Sequence, residues 1–126
     1  MAEQRSHWHE RLAAGSSTRL VFVEESGANT KMTRLYGRCP VGKRLTASVP
    51  HGHYQTSTLI AAVRLSGACA PCLFDGPMDG EMFLAWVQHG LASTLRPRDV
   101  VILDNLATHK VVGVREAIER VGAKLL

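Results

Sequence analysis

Apolar and polar positions along this chain fall into blocks of two kinds. RLVFVEES at 19–26 and VVILDN at 100–105 are short continuous apolar runs that end on acids, a pattern that predicts strands buried on both faces. STLIAAVRLSG at 57–67 predicts a further strand closed by a Ser-Gly turn signal. RLTASVPHG at 44–52 predicts a strand broken by Pro50, and ACAPCLFDGPMDG at 68–80 a short strand followed by a loop. Between the first two strands, GANTKMTRLYGRCPVGK is polar, glycine-bearing and basic, which predicts a loop or ragged hairpin. From Asp79 the period changes. Phe83, Trp86, Val87, Gly90 and Leu91 recur at helical spacing, which predicts a helix capped by Asp79, running to about Thr94 and ended by Pro97. VVGVREAIERVG predicts a second amphipathic helix stopped by Gly122, and AKLL a last strand. HWHERLAA near the start has the length of two helical turns.

An early meander followed by helix-linked strands predicts a mixed sheet with helices packed on it. The strand at 100–104 follows a helix, so a right-handed crossover would lay it parallel to a neighbour. Beside strand 20–25, its acidic end and that of the first strand share one sheet edge, where ligands of such sheets bind.

A chain of 126 residues, 45% hydrophobic, supports one compact domain. A net charge of +4 favours an anionic partner without specifying one. Three cysteines, an odd number, point to a reducing, cytoplasmic setting. No stretch approaches the roughly 18 apolar residues of a membrane span, and the N-terminus lacks the apolar core of a signal peptide.

The candidate chemistry lies in the acids. Two carboxylates at adjacent strand ends repel unless a cation lies between them, and Mg²⁺ suits one or two carboxylates plus waters and phosphate oxygens. Two such ions about 3.5–4 Å apart perform phosphoryl transfer. An acid after a buried strand also serves as a plain turn former. Strand alternation puts Glu24 and Glu25 on opposite faces, so one of them must point to the more buried side. Cys69-Ala-Pro-Cys72 has CxxC spacing, but a zinc site needs two more ligands in matching motifs. The pair therefore reads as small apolar residues.

VFVEESGANTKMTRLYGRCPVGKRL, VPHGHYQTSTLIAAV, DGPMDGEMFLAWV, RPRDVVILDNLATHK and VREAIERVGAKLL occur in this order over residues 19–126. Together they resemble bacterial insertion-sequence DDE transposases of the mariner-like superfamily. The resemblance implies an α/β, ribonuclease H-like mixed sheet flanked by helices. It also implies DNA transposition by metal-dependent phosphodiester hydrolysis and strand transfer, with two Mg²⁺ or Mn²⁺ ions. Asp104 matches the family's second catalytic, metal-binding aspartate. Glu24 stands where the family has its first aspartate; it is one methylene longer, and Mg²⁺ tolerates such displacement poorly. Glu25 matches the acid that follows that aspartate, which is not a ligand.

The family's third acid is a glutamate in a proline-rich segment after the last strand, and this sequence stops at Leu126. Glu116 and Glu119 on the preceding helix are poor substitutes. The expectation is a partial catalytic domain at 19–126, truncated at its C-terminal end, inactive or weakened, with 1–18 a linker remnant. Lys31, Arg34, Arg38, Lys43 and Arg44 cluster in one stretch, readable as a DNA-backbone patch or as an ordinary solvated hairpin. His109 and Lys110 are readable as phosphate contacts or as polar residues at a helix start. The implied partners are DNA and a second or full-length transposase copy, with no membrane. Two rivals stay open: a non-catalytic DNA- or transposase-binding module, and a small metal-dependent nuclease.

Overall fold

In the computed structural model, residues 16–104 and 107–126 are described. The expected helix at 7–14 and the capping role of Asn105 lie outside them. The strands are β1 (Leu20–Asn29), β2 (Thr56–Arg64), β3 (Gly67–Asp75), β4 (Val100–Ile102) and β5 (Lys124–Leu125), in one sheet of order β3-β2-β1-β4-β5. β1, β2 and β3 form the antiparallel meander, and β4 joins β1 in parallel through Leu20↔Val100, Val21↔Val101 and Phe22↔Ile102. β5 then adds in parallel to β4. The mixed sheet expected from the sequence is therefore the observed one.

The helices cover one face. α1 (Gly80–Trp86) starts on Asp79, whose side chain accepts from the Met82 amide at 2.8 Å. It continues through a π-helical turn at Val87–Leu91 into the short α2 (Ala92–Thr94). α3 (Val114–Arg120) follows β4 and a 3₁₀ turn at Ala107–Lys110. Phe83, Trp86, Val87 and Leu91, with Val114 and Ile118, are packed against Val21, Val23, Ile60, Ala62 and Val101. The helical periodicity of the one set meets the two-residue alternation of the other, and this is the core.

Two strand expectations are corrected. β1 is buried on one face only: Val21 and Val23 are covered, whereas Phe22 is 40% exposed, and its register partner Val63 and Leu59, the partner of Ser26, are also exposed. The stretch RLTASVPHG forms no strand; residues 44–52 are exposed, so its β-branched residues have nothing to bury against. β3 is longer than expected, nine residues. A bulge opposite Ile60 and Ala62 absorbs the odd spacing, with Ala70 at φ 51°. Cys69 and Cys72 thereby both pair with residues of the covered face and pack at the edge of the core.

One buried polar node fixes where β4 begins. Asp99 is 1% exposed; its carboxylate accepts from the Arg64 guanidinium at 3.0 Å and from the Arg96 amide at 2.8 Å. Its carbonyl accepts from the Lys124 amide at 2.8 Å. Burial works against the Arg64 charge, but hydrogen bonds to Cys69 and Asp99 outweigh it, and the pKa is raised above the ordinary arginine value. The stability carried by this shift on Arg64 is present below the ordinary arginine value and is lost where the pH rises through the raised one. Arg64→Met leaves the Asp99 charge buried without its partner. It is expected to lower the unfolding free energy by about 3–5 kcal/mol in a urea titration.

Candidate functional site

The β1–β4 ladder sets the geometry. Its last pair is Phe22↔Ile102. Glu24 and Asp104 each lie two residues further along their strands, so the register carries them to the same sheet edge. β4 ends at Ile102, and Asp104 sits just beyond it with its side chain 51% exposed. Glu24 is exposed on the uncovered face it shares with Phe22. Glu25 alternates to the covered side, where its side chain is 24% exposed. The sequence-level alternation of the two glutamates is thus resolved: Glu25 is the one that turns inward.

On that side Glu25 meets a histidine from beyond β4. The 3₁₀ turn at Ala107–Lys110 folds the chain back and buries His109, 4% exposed, while Lys110 stays at the surface. The imidazole stacks on Phe83, with ring centroids 4.2 Å apart and an interplanar angle of 28°. Its Nδ1 lies 2.6 Å from Asp104 Oδ1 and its Nε2 lies 3.6 Å from Glu25 Oε2. Among the described residues, both imidazole nitrogens and Glu25 Oε2 are buried without a completed hydrogen bond. The only sequence signal for this is a histidine five residues after Asp104, and nothing in that spacing says which way the chain turns.

A cleft of about 240 Å³ opens onto Asp104, His109, Lys110 and Arg115. Two cationic side chains, Lys110 and Arg115, therefore line the cleft together with Asp104. Among the described residues, no three His, Cys, Asp or Glu side chains converge as a closed metal cage. The donors at this edge are carboxylate oxygens on an open side. They fit a hard divalent cation that keeps its waters and takes further oxygens from a ligand, and they do not fit a four-coordinate zinc centre.

Glu116 and Glu119 are engaged elsewhere. Glu116 Oε2 accepts from the Gly113 amide at 2.9 Å, and Glu119 Oε1 pairs with Arg115 at 3.3 Å. Lys31, Arg34, Arg38, Lys43 and Arg44 are all exposed along the irregular stretch between β1 and β2. Lys31 Nζ lies 5.4 Å over the Tyr54 ring.

The site is held from below by a close approach. A Cβ at Gly80 would collide with Val111 Cγ2, so a side chain here pushes α1 away from the turn that carries His109. Val111 is β-branched and stiff. Gly80→Ala is expected to cost about 1–3 kcal/mol in a urea titration.

A family model described as DDE superfamily endonuclease matches residues 19–126. Among solved structures, the fold is similar to the Mos1 strand transfer complex, with a TM-score of 0.70 and 19% identity, over 96% of this chain and 38% of that one. It is similar to the mariner Mos1 paired end complex with Mg, with a TM-score of 0.68 and 19% identity, over 96% and 39% of the two chains. The catalytic domain of Mos1 mariner transposase matches with a TM-score of 0.57 and 15% identity, over 96% and 55%. At these identities the likeness is one of fold, the ribonuclease H-like fold expected from the sequence. The chain spans 38% of the length of the strand transfer complex chain. No curated protein matches it.

Proposed function

This chain belongs to the DDE superfamily endonuclease family, and we propose on that premise that residues 19–126 form part of an insertion-sequence transposase catalytic domain acting on DNA in the cytoplasm. Glu24 and Asp104 are its first two metal-binding acids. The observation that carries this reading is the parallel register that delivers both residues to one sheet edge, two positions beyond Phe22↔Ile102. The open set of carboxylate oxygens suits Mg²⁺ or Mn²⁺, as does the presence of Mg in the Mos1 paired end complex. When bound, a pair of such ions supplies Lewis acidity and an activated attacking oxygen for phosphodiester cleavage and strand transfer.

The chain's own residues divide the remaining work. Lys110 and Arg115 border the cleft on Asp104 and attract a phosphate there. Lys31, Arg34, Arg38, Lys43 and Arg44 lie exposed along one stretch and hold the DNA backbone by charge. His109 is buried among carboxylates and works on that side of the site. Glu24 reaches one methylene further than aspartate and shifts its oxygens, which weakens the metal site. Glu116 and Glu119 are tied to Gly113 and Arg115 and do not supply a third acid. The segment 19–126 alone is thus a weakened or inactive catalytic unit that retains metal and DNA affinity. A second transposase copy is its natural protein partner.

Titration calorimetry with Mn²⁺ tests the metal site. The native chain is expected to bind saturably, Asp104→Ala to lose that binding, and Glu24→Asp to tighten it. The DNA surface is tested by salt. Arg34→Gln with Arg38→Gln is expected to lower the slope of log affinity against log salt by roughly 0.9 per lost phosphate contact. Salt-dependent DNA binding in a native chain that binds no Mn²⁺ would favour the non-catalytic binding module.

A further inference from the structure

We propose that His109 is a positioning residue that orients the Asp104 carboxylate, and that Glu25 and the Phe83 ring hold it in place to do so. The inference rests on the reading of Asp104 as a metal ligand, and it gives Glu25 and His109 roles that reading leaves open.

Three observations carry it. First, the imidazole is confined by packing: it is 4% exposed and lies stacked on Phe83, itself fully buried. Second, both of its nitrogens face carboxylates, Asp104 at 2.6 Å from Nδ1 and Glu25 at 3.6 Å from Nε2. Third, Asp104 lies two residues past the end of β4, its side chain 51% exposed and its Oδ1 against the buried His109 Nδ1. A buried, ring-stacked imidazole therefore stands at hydrogen-bond reach of a carboxylate beyond the end of the ladder.

Packing alone does not account for a histidine here. Among the described residues its two nitrogens and Glu25 Oε2 complete no hydrogen bond, and a buried polar group left so is costly. An apolar side chain would fill the space against Phe83 without that cost. The arrangement makes sense if the polar atoms act on Asp104. Groups that orient a metal ligand in this way alter metal affinity by about 10–100-fold.

The alternation in β1 then gives the consecutive acids separate tasks. Glu24 projects to the uncovered face, where it would be the ligand that β1 offers a metal ion. Glu25 projects to the covered face and anchors the imidazole that aims Asp104. The two strand ends are coupled through His109, and the metal does not have to be present for the coupling to exist.

The test uses the full chain and two readouts. In the metal-free chain, a long-range ¹H–¹⁵N spectrum of the imidazoles is expected to show His109 with a proton on Nδ1, shifted downfield and slow to exchange. That signature should be lost in Asp104→Ala and altered in Glu25→Gln. A His109 signal identical in native chain and Asp104→Ala overturns the proposal. In Mn²⁺ calorimetry, His109→Phe keeps the ring stack on Phe83 and is expected to retain a cooperative melt while binding about 10–100-fold more weakly. His109→Asn returns an N–H towards Asp104 and should recover most of the affinity. His109→Phe binding Mn²⁺ as tightly as the native chain also overturns the proposal. If the native chain binds no Mn²⁺, the metal-ligand reading of Asp104 fails, and the Asp104-dependent imidazole signature alone decides whether the clamp exists.

Discussion

The buried ion pair between Arg64 and Asp99 is the constraint on which the rest of the structure depends. Arg64 ends β2 on the covered face, and Asp99 immediately precedes β4. Their contact, together with the Arg96 amide and the Lys124 amide on the same aspartate, ties three strands at one point. β4 is only three residues long and could not define its own register by ladder bonds alone. A slip of one residue would put Asp104 out of step with Glu24 and turn Val101 from the core to the open face. A charged pair with fixed geometry is suited to prevent that, because a displaced partner leaves a buried charge exposed to no counter-charge.

From that fixed start, the site follows by counting. Val100 pairs with Leu20, Ile102 with Phe22, and the two acids come next. The apolar residues serve as the ruler and the acids as its end. Beyond the ladder, the 3₁₀ turn brings the chain back under α1, and the Phe83 ring becomes the floor for His109. The same helix that closes the core therefore also supports the functional edge.

Much of this was legible in the sequence. The apolar runs at 20–23 and 100–103 marked the strands, and the acids after them marked the edge. The Phe83, Trp86, Val87 and Leu91 spacing marked the helix face, and Asp79 its cap. What was not legible depends on contacts between distant residues. Nothing in RPRD distinguishes Asp99 from a turn acid until Arg64 arrives beside it. His109 looks like Lys110 in sequence, and only the fold buries the first and exposes the second. The strand expected at 44–49 had the right residue types but no neighbour to pair with. The burial expected on both sides of β1 required a layer over Phe22, Leu59 and Val63, and among the described residues none covers them.

The central claim is that one sheet edge, defined by Glu24 and Asp104, holds a divalent cation. Mn²⁺ is paramagnetic and broadens the amide signals of nearby residues, so a ¹H–¹⁵N spectrum recorded at substoichiometric Mn²⁺ locates the ion directly. Broadening is expected to centre on residues 23–25 and 103–104, with residues 109–110 next, and with Glu116, Glu119 and the β2–β3 turn unaffected. Broadening centred on the acids of α3, or spread evenly over surface carboxylates, would contradict it.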